Sequence, residues 1–142
     1  MRVYLFTIGV RALLRLNLEQ LESIIEPAKA PGTPAWSQIE RIVHCIDQVF
    51  ESKAPLIRRG CYSRGVICYY LLRRAGLEVS LYFGVSKRGE HFAGHCWLMR
   101  NGEPFLERND PRPQFTTVYA IPRSTIPSGN PIDPTRSLKR IS

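Results

Sequence analysis

The chain lacks any long apolar run. Its longest stretch near the start, Val3 to Val10 of MRVYLFTIGVRALLRLNL, is closed off by Arg2 and Arg11, with Arg15 following. A membrane span needs about 20 residues. No small-residue cleavage site follows either, so these residues read as an amphipathic soluble helix rather than a signal peptide, with a cytoplasmic location and no membrane partner expected. Cys-x-x-Cys is also missing. The four cysteines, Cys45, Cys61, Cys68 and Cys96, do not have zinc-ribbon spacing. A chain of 142 residues that is 44% hydrophobic can bury a real core without disulfides, so the thiols are expected to be reduced. Internal repeats, zinc fingers, helix-turn-helix patterns and RNA-binding signatures are absent, and nucleic acid is not expected as a partner.

What is present is a lopsided charge of +8. Residues 1–50 hold five Lys/Arg against five Asp/Glu, whereas residues 51–142 hold fifteen against seven. A basic half suits an anionic partner, and equally suits scattered solubilising arginines.

The pattern divides the chain into an N-terminal helical segment (1–55), a core (56–121) and a Pro-rich tail (122–142), together about one domain long. Leu14, Leu18, Leu21 and Ile25 recur at helical spacing up to Pro27. Thr33 as N-cap with Pro34 at the first position predicts a second helix, striped by Trp36, Ile39, Val43, Ile46 and Phe50. His44 and Cys45 within it read as packing or surface residues. A third helix is expected over 61–75, with Arg73 and Arg74 in its last turn and Gly76 as its cap. Strands follow at 77–85, 91–99 and 103–107, joined by SKRGE and by the Asn-Gly of RNG, and FTTVYAI (115–121) can add another. Helices first and an antiparallel meander afterwards make an α+β fold, N-terminal helices packed on a small antiparallel sheet.

Cys61 follows Gly60 and opens the third helix. Unpaired amides and the positive end of the helix dipole stabilise a thiolate there, and Arg58, Arg59 and Arg64 add positive potential. The bland alternative is a small residue that happens to start a helix, as Cys68 is simply core. On its strand His95 shares a face with Trp97, while Cys96 points the other way and should not be its partner. Glu107, on the next strand, can stand beside His95 and fix its tautomer. A metal site would need His91 and Cys96 as further ligands, and no coordinated spacing supports it.

A cysteine at a helix start, then His-x-Trp on a strand, then an acid is the order of a nucleophilic cysteine site. It resembles the transglutaminase-like (papain-like) superfamily. More narrowly, CYSRGVICYYLLRRAGLEVSLYFGV followed by FAGHCWLMRNGEPFLE, within residues 56–121, resembles the leader peptidases of lasso-peptide biosynthesis. That family usually reads His-Ala-Trp where this chain has Cys96, and Asp where it has Glu107, so Asp110 stays open as the alternative acid. The resemblance implies catalytic Cys61, His95 and Glu107, substrate contacts at Arg64 and Trp97, and neither metal nor cofactor. It implies a precursor peptide as substrate, a separate leader-recognition protein as partner, and the ATP-dependent lasso cyclase beside them. Another transglutaminase-like acyltransferase or peptidase, or a non-catalytic basic binding domain, remains open.

Overall fold

The computed structural model describes residues 17–28, 32–51 and 60–123. The expected helical residues before Asn17, Arg58 and Arg59, and the tail beyond Arg123 lie outside them.

The first helix, α1 (Leu18–Ile25), opens on a capping box: the Asn17 side chain accepts from the Gln20 amide at 2.8 Å, and the Gln20 side chain accepts from the Asn17 amide at 3.2 Å. Leu21 and Ile25 are its buried residues. α2 (Trp36–Glu51) begins two residues later than Thr33 and Pro34 suggest, because the Ala35 carbonyl accepts the first helical bonds, from the Gln38 and Ile39 amides. Of the expected stripe, Ile39 and Ile46 are buried, Val43 and Phe50 pack against the core, and Trp36 is exposed.

α3 (Cys61–Arg74) is the central element, touching α1, α2, β1 and β2. It ends on Gly76 at φ 97°, where the Leu77 amide reaches back to the Leu72 carbonyl at 3.0 Å. Arg73 does more than face the helix dipole: it is buried, and its guanidinium pairs with both Glu26 and Glu78. Tyr69 donates to the same Glu26, so this cluster ties the end of α1 to α3.

The sheet is antiparallel with the order β3-β2-β1-β4, built from β1 (Ser80–Arg88), β2 (His91–Arg100), β3 (Glu103–Phe105) and β4 (Thr116–Ile121). β1 starts three residues after the expected position and runs through Arg88, because Ser86, Lys87 and Arg88 still pair with Ala93, Phe92 and His91. That leaves a two-residue turn with Gly89 at φ 61°. The β2–β3 turn has Asn101 at φ 52° and Gly102 at φ 80°, the positive pair that an Asn-Gly hairpin takes. Leu81, Phe83, Cys96 and Leu98 face the helices and join Ile67, Leu72, Leu21 and Ile25 of α1, and Ile39 and Ile46 of α2, in one core. Each fully buried Leu or Ile contributes about 1.5–3 kcal/mol to holding the helices on the sheet. The molecule is α+β, and residues of 1–55 and of 56–121 share that core.

Candidate active site

Among the described residues, β3 pairs only with Leu98–Arg100. Below that point β2 forms the border of the sheet on this side, next to the start of α3. Side chains from both faces of β2 reach the same space there: the consecutive residues His95, Cys96, Trp97 and Leu98 all line one cleft of about 560 Å³, together with Cys61 and Glu107.

Cys61 is the first residue of α3 and is exposed. Gly60 precedes it without a side-chain cap, so no capping side chain takes up the amides of the first turn. The Cys61 thiol is lowered from 9.0 to about 4. The largest cause is a hydrogen bond from the Cys96 side chain; burial opposes it, and the Cys96 backbone amide, then a hydrogen bond from His95 and that ring's charge, add to the lowering.

His95 lies between rings. Trp97 stacks on it, with centroids 5.9 Å apart and planes 20° apart, and Phe115 sits 5.2 Å away on centroids. Trp97 itself is 1% exposed and backs the histidine at the wall of the cleft. It lies so close to β1 that a Cβ at Gly84 would stand 2.7 Å from its ring, which makes glycine the residue that fits there. Phe115 arrives by a turn in which the Pro111 carbonyl accepts from the Gln114 and Phe115 amides.

Glu107 Oε2 is 3.4 Å from His95 Nε2, with both side chains about three-quarters buried. Strand alternation alone does not bring it there. Phe105 pairs with Leu98, on the face opposite Trp97 and His95, so a straight strand through 107 would carry the acid to the helix side. β3 stops at Phe105 instead, and Leu106 at φ 62° turns the chain so that the carboxylate swings toward the imidazole. A left-handed leucine costs about 1–2 kcal/mol, strain held by the surrounding structure.

Asp110 lines the same cleft but is engaged with Arg112, whose backbone amide, Nε and Nη2 all donate to it, and that pairing lowers its carboxyl. Arg64, one turn into α3, donates to Asp47 of α2 through Nε at 3.1 Å and Nη2 at 2.9 Å. Cys68 is buried, and burial pushes it up to about 12. Two contributors escaped the sequence reading. Cys96 points away from His95, as alternation requires, but that is the side on which α3 lies. Gly65, four residues after Cys61, is the one signal that α3 approaches a strand closely there. Asp47 gave no signal at all. Among the described residues no cluster of three or more His, Cys, Asp or Glu could hold a metal ion, and no helix is long and apolar enough to cross a membrane.

A family model described as the transglutaminase-like superfamily matches residues 5–120. The match takes in α1 and α2 as well as the Cys-to-acid region, further than the motifs at 56–121 reach. No curated protein and no solved structure matches the chain.

Proposed function

The chain belongs to the transglutaminase-like superfamily, whose members are typically cysteine peptidases and acyltransferases, and from that premise we propose that it is a cysteine peptidase that removes the leader from a ribosomally made lasso-peptide precursor. The observation that carries the cysteine chemistry is the meeting of Cys61, His95 and Glu107 in one cleft, with the Cys61 thiol lowered to about 4. The leader-peptidase assignment draws on the sequence motifs at 61–85 and 92–107.

In this scheme Glu107 holds a proton on His95 Nε2 and leaves Nδ1 to serve the thiol. The Cys61 thiolate attacks the scissile carbonyl carbon, and the amides of the first turn of α3 receive the oxyanion. His95 protonates the leaving amine, which departs as the new N-terminus of the core peptide. A water that has lost its proton to His95 then splits the thioester, releasing the leader's carboxylate and restoring the thiol. Trp97 and Phe115 fix the plane of the imidazole. Arg64, held by Asp47, presents the remainder of its guanidinium to the substrate backbone. A separate leader-recognition protein delivers the precursor, with the basic half of the chain as its docking surface, and the ATP-dependent cyclase takes the freed amine.

The test is to incubate the protein with precursor peptides and leader-binding proteins encoded beside its gene and to weigh the products. Two fragments whose masses sum to precursor plus water, absent with Cys61→Ala, are expected. Incorporation of an added primary amine in place of water would make it an acyltransferase. No Cys61-dependent product of either kind would overturn the reading.

A further inference from the structure

The scheme above gives Cys96 no part, yet its sulfur lies beside the nucleophile. Strand alternation turns Cys96 toward α3, opposite Phe83 in register. It is 4% exposed. On α3 it meets Gly65, one turn beyond Cys61, where an added Cβ would stand 2.8 Å from its sulfur. A glycine there leaves a notch in the helix, and the Cys96 thiol fills it. From the notch it donates to the Cys61 carbonyl oxygen at 3.0 Å.

A thiol carries one proton, and this one has two acceptors within reach, the Cys61 carbonyl and the Cys61 sulfur. Beside the carbonyl contact, hydrogen bonding between the two side chains lowers the Cys61 thiol and raises that of Cys96, the division expected when the exposed sulfur at the helix start carries the charge and the buried one keeps its proton.

We propose that Cys96 is a positioning residue for the nucleophile: a neutral donor seated in the Gly65 notch that holds the first turn of α3 and shares the Cys61 sulfur with His95. The inference rests on Cys61 being the nucleophile. In the resting enzyme the Cys96 S–H, which donates to the Cys61 carbonyl, is shared with the thiolate. Once Cys61 is acylated its sulfur is no longer an anionic acceptor, and the S–H stays on the Cys61 carbonyl alone. No covalent bond changes at Cys96, so its proton is retained throughout.

The experiment is the pH profile of Cys61 alkylation by iodoacetamide, followed by peptide mapping, for the wild type, Cys96→Ala and Cys96→Ser, each shown to be folded by circular dichroism. Cys96→Ala is expected to move the midpoint upward by about one pH unit or more, and Cys96→Ser, which keeps a donor, to restore most of that shift. Cys96→Val keeps the bulk without the donor and stands in if the alanine variant does not fold. Superimposable profiles for wild type and the donor-free variant overturn the proposal and leave the nucleophile standing. Equal shifts in the serine and alanine variants also overturn it, because loss of packing would then be the cause. A wild-type midpoint in the ordinary thiol range removes the nucleophile and this proposal with it.

Discussion

Cys61 and Cys68 lie seven residues apart on one helix, and the fold treats them oppositely. The first is exposed at the helix start and lowered to about 4; the second is buried two turns further on and pushed up to about 12. The residue type is the same, and so is the helix. What differs is the position relative to the border of the sheet. At Cys61 the helix end, a hydrogen-bond donor and a histidine all favour the anion, whereas at Cys68 the loss of water outweighs the nearby Arg64 charge. The far end of α3 makes the same point with a different residue. Arg73 is buried between Glu26 and Glu78, charge used to fasten α1 rather than to react. One helix thus carries an end that favours an anionic thiol and an end that fastens the fold.

The largest effect should come from Cys61→Ala, with turnover falling on the order of 10⁶-fold while the urea midpoint stays near wild type, since the side chain is exposed. Next is Glu107→Gln, for which kcat should drop about 10³-fold, whereas Asp110→Asn, removing a carboxylate tied to Arg112, should leave kcat at the wild-type value. An equal loss in both would make the acid assignment at Glu107 untenable. Arg73→Met should cost about 2–3 kcal/mol in urea unfolding, toward the low side for a broken buried pair because both carboxylate partners reach solvent, with Cys61 alkylation unaltered. If that alkylation slowed, the two ends of α3 would not be separable. The smallest effect is expected from Cys68→Ala, about 1 kcal/mol of stability from the small cavity and no change in activity.

The meander and its turns were legible because Gly89 and Asn101-Gly102 sit where positive φ is needed, and the α3 cap because Gly76 does the same. Cys61 and His95 could be proposed as partners from their order along the chain. The route by which Glu107 reaches His95 could not, since strict alternation puts it on the wrong face and only the left-handed Leu106 corrects this. Nothing local in a leucine announces that conformation. Cys96 was set aside for facing away from His95, an inference that held for the strand but missed that two faces converge where a sheet ends. Arg64 and Asp47 meet across two helices, a packing relation that neither helix pattern contains. The bounds of α2 and β1 moved by two or three residues, to where the Ala35 carbonyl and the Arg88–His91 pair place them.

The central claim is that Cys61 and His95 form an activated pair, and it can be tested without a substrate. The native protein and His95→Ala would be alkylated with iodoacetamide at pH 6 and all four cysteines mapped by mass spectrometry. Because the Cys61 thiol is lowered to about 4, its thiolate persists from neutral pH down to that value and disappears only below it. Cys61 should therefore label first at pH 6, ahead of Cys45, which is also exposed, and far ahead of buried Cys68 and Cys96, and should slow when His95 is removed. Labelling of Cys61 no faster than Cys45, unchanged in His95→Ala, would contradict the account.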